Sequence, residues 1–179
     1  MTISIVATVG SASANSFLTE VEQIAYMATR LNASSWTSVS GSTCTETEKA
    51  AMVEATRELS ALVWQGLRVD STQALSWPRQ WCWNPDEVNL AYNYFASTVV
   101  PQRVKDAAAE LAFQFLKAGT TDVAALDPDQ GLIEDTVDVL TRRWQPYSKP
   151  TGLARYPSVM RFIAPMLANA SGQSPLVRG

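Results

Sequence analysis

Three segments of this chain carry their own helix start signals, and a fold that ignored them would leave their backbone donors unpaired. Thr19 is followed three places on by Glu22, and Thr45 by Glu48. At that spacing the hydroxyl oxygen accepts from the third helical N–H while the carboxylate reaches back to the cap's own N–H. Val21, Ile24, Ala25, Ala28 and Leu31 follow at helical spacing, which predicts a helix over about 19–30. In the second segment Val53, Thr56, Leu59 and Val63 line one face beside Met52, Ala55 and Leu62. That pattern predicts a helix reaching about residue 65, with Gly66 as its left-handed stop. The third begins at Pro101, continues as a stripe of Val104, Ala108, Leu111 and Phe115 flanked by Ala107, Ala112 and Leu116, and ends at Gly119. The Ser- and Thr-rich stretch 34–43 reads as a loop.

Beyond the third helix the pattern changes. Asp127, Pro128, Asp129 and Gly131 mark a turn, and Ile133, Val137 and Val139 with charges between them predict a hairpin over about 132–144. A short helix over about 158–169 is interrupted by Pro165. The expected fold class is mainly α: a small helical bundle with a short β-hairpin and an extended C-terminal arm. The bundle takes 1–141, with an aromatic insert over about 80–100, and the arm takes 142–179. A chain of 179 residues, 46% hydrophobic, supports one packed domain without disulfides or metals. Cys44 and Cys82 stand outside any metal-ligand spacing and read as reduced thiols.

The chain contains no histidine, which removes Ser/His/Asp and Cys/His nucleophile arrangements and the HExxH zinc site. Its eight glycines are scattered outside any GxGxxG or GK[ST] context. Neither an enzyme nor a cofactor is expected. No apolar run reaches the roughly 18 residues of a membrane span, and residues 1–10 carry no charged leader pattern. The chain reads as soluble and unexported, with no membrane partner.

Charge is divided sharply. Residues 1–141 hold 8 Lys and Arg against all 17 acids, or −9; residues 142–179 hold 6 bases and no acid, or +6. Pro146, Pro150, Pro157, Pro165 and Pro175 interrupt the basic part and favour an extended path. Trp144, Tyr147, Tyr156, Phe162, Ile163, Met166 and Leu167 are more apolar than a solvated tail requires, so the arm docks on something. Its own domain, an acidic protein and a phosphate backbone are all open. Arg155, Arg161 and Arg178 are the candidates for electrostatic docking, with Phe162, Met166 and Leu167 as apolar anchors. Removing everything after Tyr147 is expected to leave the bundle folded.

Six of the sixteen aromatic residues, Trp77, Trp81, Trp83, Tyr92, Tyr94 and Phe95, fall within nineteen positions. Such density marks a contact surface or a loop packed on its own helices. Bases stacked on Trp81, Trp83, Tyr92 or Tyr94 would contribute about 1–3 kcal/mol each, yet the segment 71–100 holds Arg79 alone against Asp86 and Glu87. Arg79 itself reads as an ion pair or backbone tether, and Trp77 with Pro78 as a wedge between the second and third helices.

Several runs carry a family resemblance. They are Ala14, Asn15, Ser16 and Phe17; Glu48, Lys49 and Ala50 with Ala55 and Thr56; Trp64, Gln65 and Gly66; and the run from Gln73 through Ala74, Leu75, Ser76, Trp77 and Pro78 to Arg79. Pro101, Arg103, Val104, Lys105, Ala107, Glu110, Leu111 and Ala112 complete the pattern. In order and spacing it resembles tailed-phage structural proteins labelled DnaT-like single-stranded-DNA-binding proteins. In size and helical layout it is similar to phage head-to-tail connector adaptors, also called head completion proteins.

The resemblance implies a homo-oligomeric ring of twelve copies in the virion neck, assembled in the bacterial host cytoplasm. Its implied partners are the portal protein, a tail or neck protein, and double-stranded DNA that passes without sequence-specific binding. It further implies that the arm, with Arg155, Arg161, Phe162, Met166, Leu167 and Arg178, docks on the portal. The aromatic insert over about 80–100 is longer than in that pattern; independently of the resemblance, its Trp81, Trp83, Tyr92, Tyr94 and Phe95 are expected to face an adjoining subunit or the next tail component. Taken literally, the family label gives the alternative of a single-stranded-DNA-binding accessory protein.

Overall fold

Both capping signatures start helices. The computed structural model describes residues 2–41, 43–87, 93–119, 134–137, 140–143 and 152–168. Helix α1 spans Glu20–Thr29 and α2 spans Glu46–Ser60. In each the cap hydroxyl accepts from the third amide, and the glutamate accepts the cap's own N–H at 2.7 Å. Glu48 does more than cap. Buried in the fold, it also accepts the N–H groups of Thr37 at 2.6 Å and Ser38 at 3.1 Å, tying the 34–43 loop and its 3₁₀ turn, Thr37–Ser40, to α2.

Helix α3, Gln102–Ala118, is the centre of the molecule. Pro101 occupies its cap position and Gly119 ends it in the left-handed region at φ 68°. Val104, Ala107, Ala108, Ala109, Leu111 and Ala112 are wholly buried, with Phe113 and Phe115 nearly so. A helix covered on this many sides belongs to an interior rather than a surface. Its alanines let α2 pack closely on one side and α4 on another.

Helix α2 stops at Ser60, short of the expected residue 65, because the chain turns there to bury Trp64, whose indole N–H donates to the Leu59 carbonyl at 2.9 Å. Gly66 is left-handed at φ 70°, as expected, but it does not stop the helix. It permits a close approach: a Cβ at that position would lie 2.2 Å from the Gln80 carbonyl oxygen. Strands β1 (Leu67–Arg68) and β2 (Arg79–Gln80) pair antiparallel beside it. Strands β3 (Glu134–Val137) and β4 (Leu140–Arg143) form the expected hairpin, with Glu134 opposite Arg143 and Val137 opposite Leu140.

Over 152–168 the chain is not an extended arm. A 3₁₀ turn at Gly152–Arg155 leads into α4, Pro157–Ile163, and a second turn at Ala164–Met166. Pro157 opens α4 at its first turn, where no donor is lost, and Pro165 sits in the closing turn. Val159, Ile163 and Met166 have no exposed surface, and Tyr156 packs edge-on against Phe115 at 6.5 Å. The segment then pairs with the exit of α2. Gln65 donates its N–H to the Met166 carbonyl and Ala168 donates to the Val63 carbonyl, both at 2.9 Å, around a bridge of Trp64 with Leu167.

The expectation that residues after Tyr147 are dispensable for folding is therefore corrected, since this stretch completes the core against α3. Ile163→Ala is predicted to cost about 2–5 kcal/mol in urea unfolding. An unchanged midpoint would mean that the segment is an appendage.

Candidate functional site

The stretch from Gln73 to Arg79 forms a lock built from side chains bonded to backbone. The Arg79 guanidinium donates to four carbonyls: Gln65 at 2.7 Å, Gly66 at 2.6 Å, Ser76 at 3.1 Å and Trp64 at 3.3 Å. Burial lowers its pKa from the ordinary arginine value, and it remains a cation surrounded by carbonyl dipoles. Gln73, buried, donates to the Leu75 carbonyl at 2.8 Å and the Pro78 carbonyl at 3.1 Å, and accepts the Asp70 N–H at 3.1 Å. Arg68 donates to the Gln73 carbonyl. Trp77, cis to Pro78, packs edge-on between Trp64 at 5.5 Å and Phe95 at 6.0 Å. Arg79 is thus a tether, and Trp77 a wedge between the exit of α2 and the approach to α3.

Beside this lock the described flanks of the aromatic insert, 81–87 and 93–95, pair with one another in an irregular antiparallel ribbon. Trp83 bridges Tyr94, Phe95 donates its N–H to the Cys82 carbonyl at 3.0 Å, and Asn84 donates to the Asn93 carbonyl at 2.6 Å. Cys82 is buried at the base, its thiol pushed up to about 11 by burial, and Cys44 is likewise pushed up to about 12. Both are poor thiolates.

Of the sequence-derived contact residues, Phe95 is largely spent on Trp77, and Tyr92 lies outside the described residues. Trp81, Trp83 and Tyr94 are 60%, 41% and 54% exposed. Trp81 holds a left-handed backbone at φ 60°, rare for a bulky residue. Nearby cations are engaged: Arg79 and Arg68 on carbonyls, and Arg103 in a two-pronged pair with Asp86.

A second feature lies between α1, α3 and α4. A cleft of about 420 Å³ is lined by Tyr26, Arg30, Glu110, Phe113, Lys117, Arg161 and Phe162, with Leu31 among its neighbours. On it Arg30 holds Glu110 through two bonds of 2.7 and 2.8 Å, and its guanidinium lies 3.9 Å above the Phe113 ring. Burial pushes the Glu110 carboxyl up, but bonds from Arg30 and Gln114 outweigh it and hold the pKa below the ordinary range. Burial and the Glu110 charge raise Tyr26 to about 12. Lys117 and Arg161 are exposed and have no ion-pair partner among the described residues.

The arm candidates therefore divide. Arg161 and Phe162 line this cleft, while Met166 is inside the core and Leu167 is half-buried on Trp64, so neither is free to anchor a partner in this conformation. Arg155 is half-buried, and Arg178 lies outside the described residues. Sequence reasoning missed Arg30, Glu110, Phe113 and Lys117. The signal was the spacing 110, 113, 114, 117, one polar and aromatic stripe of α3. Among the described residues, no helix is long and apolar enough to cross a membrane, and no group of three His, Cys, Asp or Glu could hold a metal ion.

Two outcomes test this geometry. Arg79→Lys keeps the charge but offers no planar fork, and is expected to lose about 2–4 kcal/mol of stability in denaturant unfolding. Glu110 has a folded pKa below its unfolded value, so its stabilisation is complete above about pH 5 and is lost as pH falls through the folded value. Glu110→Gln should accordingly flatten the acid limb of a stability-versus-pH curve.

No curated protein and no solved structure matches the chain. A family model does, over residues 1–179, and its description reads "Putative DnaT-like ssDNA binding protein". With its whole length matched, the chain belongs to this DnaT-like family.

Proposed function

We propose that this chain is a non-enzymatic assembly subunit: a ring-forming head-to-tail adaptor of a tailed-phage virion that docks on the portal and extends the DNA channel to the tail. The observation that carries the reading is the trio Trp81, Trp83 and Tyr94, exposed on a ribbon anchored by Arg79, with the neighbouring cations already engaged. Exposed rings held in place at low entropy cost suit a protein interface. A nucleic-acid platform needs cations beside its rings, and here Arg103 is neutralised by Asp86.

A ring of one chain also needs two different faces that meet head to tail. The ribbon is tied to the first turn of α3 at Arg103, and the cleft lies near its last turn at Lys117. Fourteen residues of helix separate these by about 21 Å. Twelve copies, the portal, the next neck or tail protein and a place in the virion neck follow from the resemblance. A net charge of −3 suits a conduit that DNA traverses without being retained.

A second reading, a single-stranded-DNA-binding accessory protein, is favoured by the family description and by Lys117 and Arg161 beside the Phe113 and Phe162 rings. Phage lacking the chain, complemented in trans, separates the two. The adaptor reading expects DNA-filled heads that fail to join tails, rescued by wild type but not by Trp81→Ala/Trp83→Ala, whose melting is unchanged. It also expects no saturable binding of a labelled oligothymidylate at about 0.15 M salt. Normal particles, with tight oligonucleotide binding that falls steeply with salt, would contradict it.

A further inference from the structure

We infer that the cleft between α1, α3 and α4 receives an acidic segment of a second copy of this chain, its carboxylates seated between Lys117 and Arg161. The inference rests on the ring reading above and supplies that ring's second face.

The floor of the cleft is already balanced. Arg30 and Glu110 neutralise each other through two bonds, and Arg30 caps Phe113. What remains unpaired among the described residues is Lys117 and Arg161, with Phe162 beside Arg161 at 5.8 Å. Two cations recognise a local anion. A nucleic-acid strand needs a row of them, because salt-dependent affinity accrues at about 0.7 counterion per phosphate contact.

Leu31 sharpens the choice. It stands at the cleft with 86% of its surface exposed, an apolar side chain that has nothing to offer a phosphate but can be covered by a protein segment. The volume, about 420 Å³, accommodates a few side chains.

Charge identifies the donor of those side chains. Every acid of the chain lies in 1–141, where the balance is −9, so a second copy brings carboxylates to this basic cleft. Complementarity of this kind sets register and partner choice between copies.

The test uses full-length protein, as an equal mixture of ¹⁴N- and ¹⁵N-labelled chains, treated with a zero-length carbodiimide at concentrations where native mass spectrometry detects rings. Isotopically mixed peptides joining Lys117 to Asp or Glu are expected. Lys117→Arg should remove them while leaving the ring mass intact. Lys117→Glu/Arg161→Glu, both at exposed positions and checked by thermal melting, should raise the concentration needed for rings by about tenfold or more. Rings unaffected by the double reversal would overturn the docking while sparing the ring. Monomer mass at every concentration would overturn the ring and the docking with it. A labelled oligothymidylate bound by wild type and lost in the double reversal would give the cleft to nucleic acid instead, and would also overturn the proposal.

Discussion

One guanidinium organises the junction on which the rest of the molecule depends. Arg79 gathers the carbonyls of Trp64, Gln65, Gly66 and Ser76, and so joins the chain leaving α2 to the chain entering the insert. A planar fork with five donors can do this; a point charge on a flexible stem cannot. Gly66 then lets the Gln80–Cys82 backbone pass where a Cβ would clash, and Trp81 takes its left-handed turn outward. Val63, Trp64 and Gln65 in turn pair with Met166, Leu167 and Ala168. Core closure and the presentation of the exposed rings therefore share one anchor.

That arrangement changes the meaning of the basic C-terminal region. Its apolar residues Val159, Ile163 and Met166 serve the chain's own interior, while Arg161 on the same short helix stays in water beside Lys117. A single segment thus completes the core and brings positive charge back to an acidic bundle. Burial cost is met locally where charge does enter the fold. Glu48 is satisfied by the amides and hydroxyls of the 34–43 loop, and Glu110 by Arg30, Tyr26 and Gln114.

Much of the helical frame was legible because its signals are local. Thr19 with Glu22, Thr45 with Glu48, and Pro101 with Gly119 act within one turn of where they stand, and the β3–β4 hairpin falls inside the expected span. The tether role of Arg79 was legible as an alternative, although its four carbonyl partners were not. The end of α2 was misread because a tertiary demand, burial of Trp64, outweighs the helical pattern that reaches Val63. The short helix expected over about 158–169 is present as α4, and docking on the chain's own domain was one of the open alternatives; what the prolines obscured is that Val159, Ile163 and Met166 complete the core. Of the cleft, the α3 stripe at 110, 113, 114 and 117 was open to reading, but its pairing was not: Arg30 and Glu110 lie 80 positions apart, and no local pattern links them.

The central claim is that the exposed rings of the insert exist to meet protein. Hydroxyl-radical footprinting of Trp81, Trp83 and Tyr94 tests it directly, in the free chain, in the chain with single-stranded oligonucleotide, and in assembled particles. The account predicts high reactivity in the first two states and strong protection in the third. Equal reactivity in the particle, or protection by the oligonucleotide alone, would contradict it.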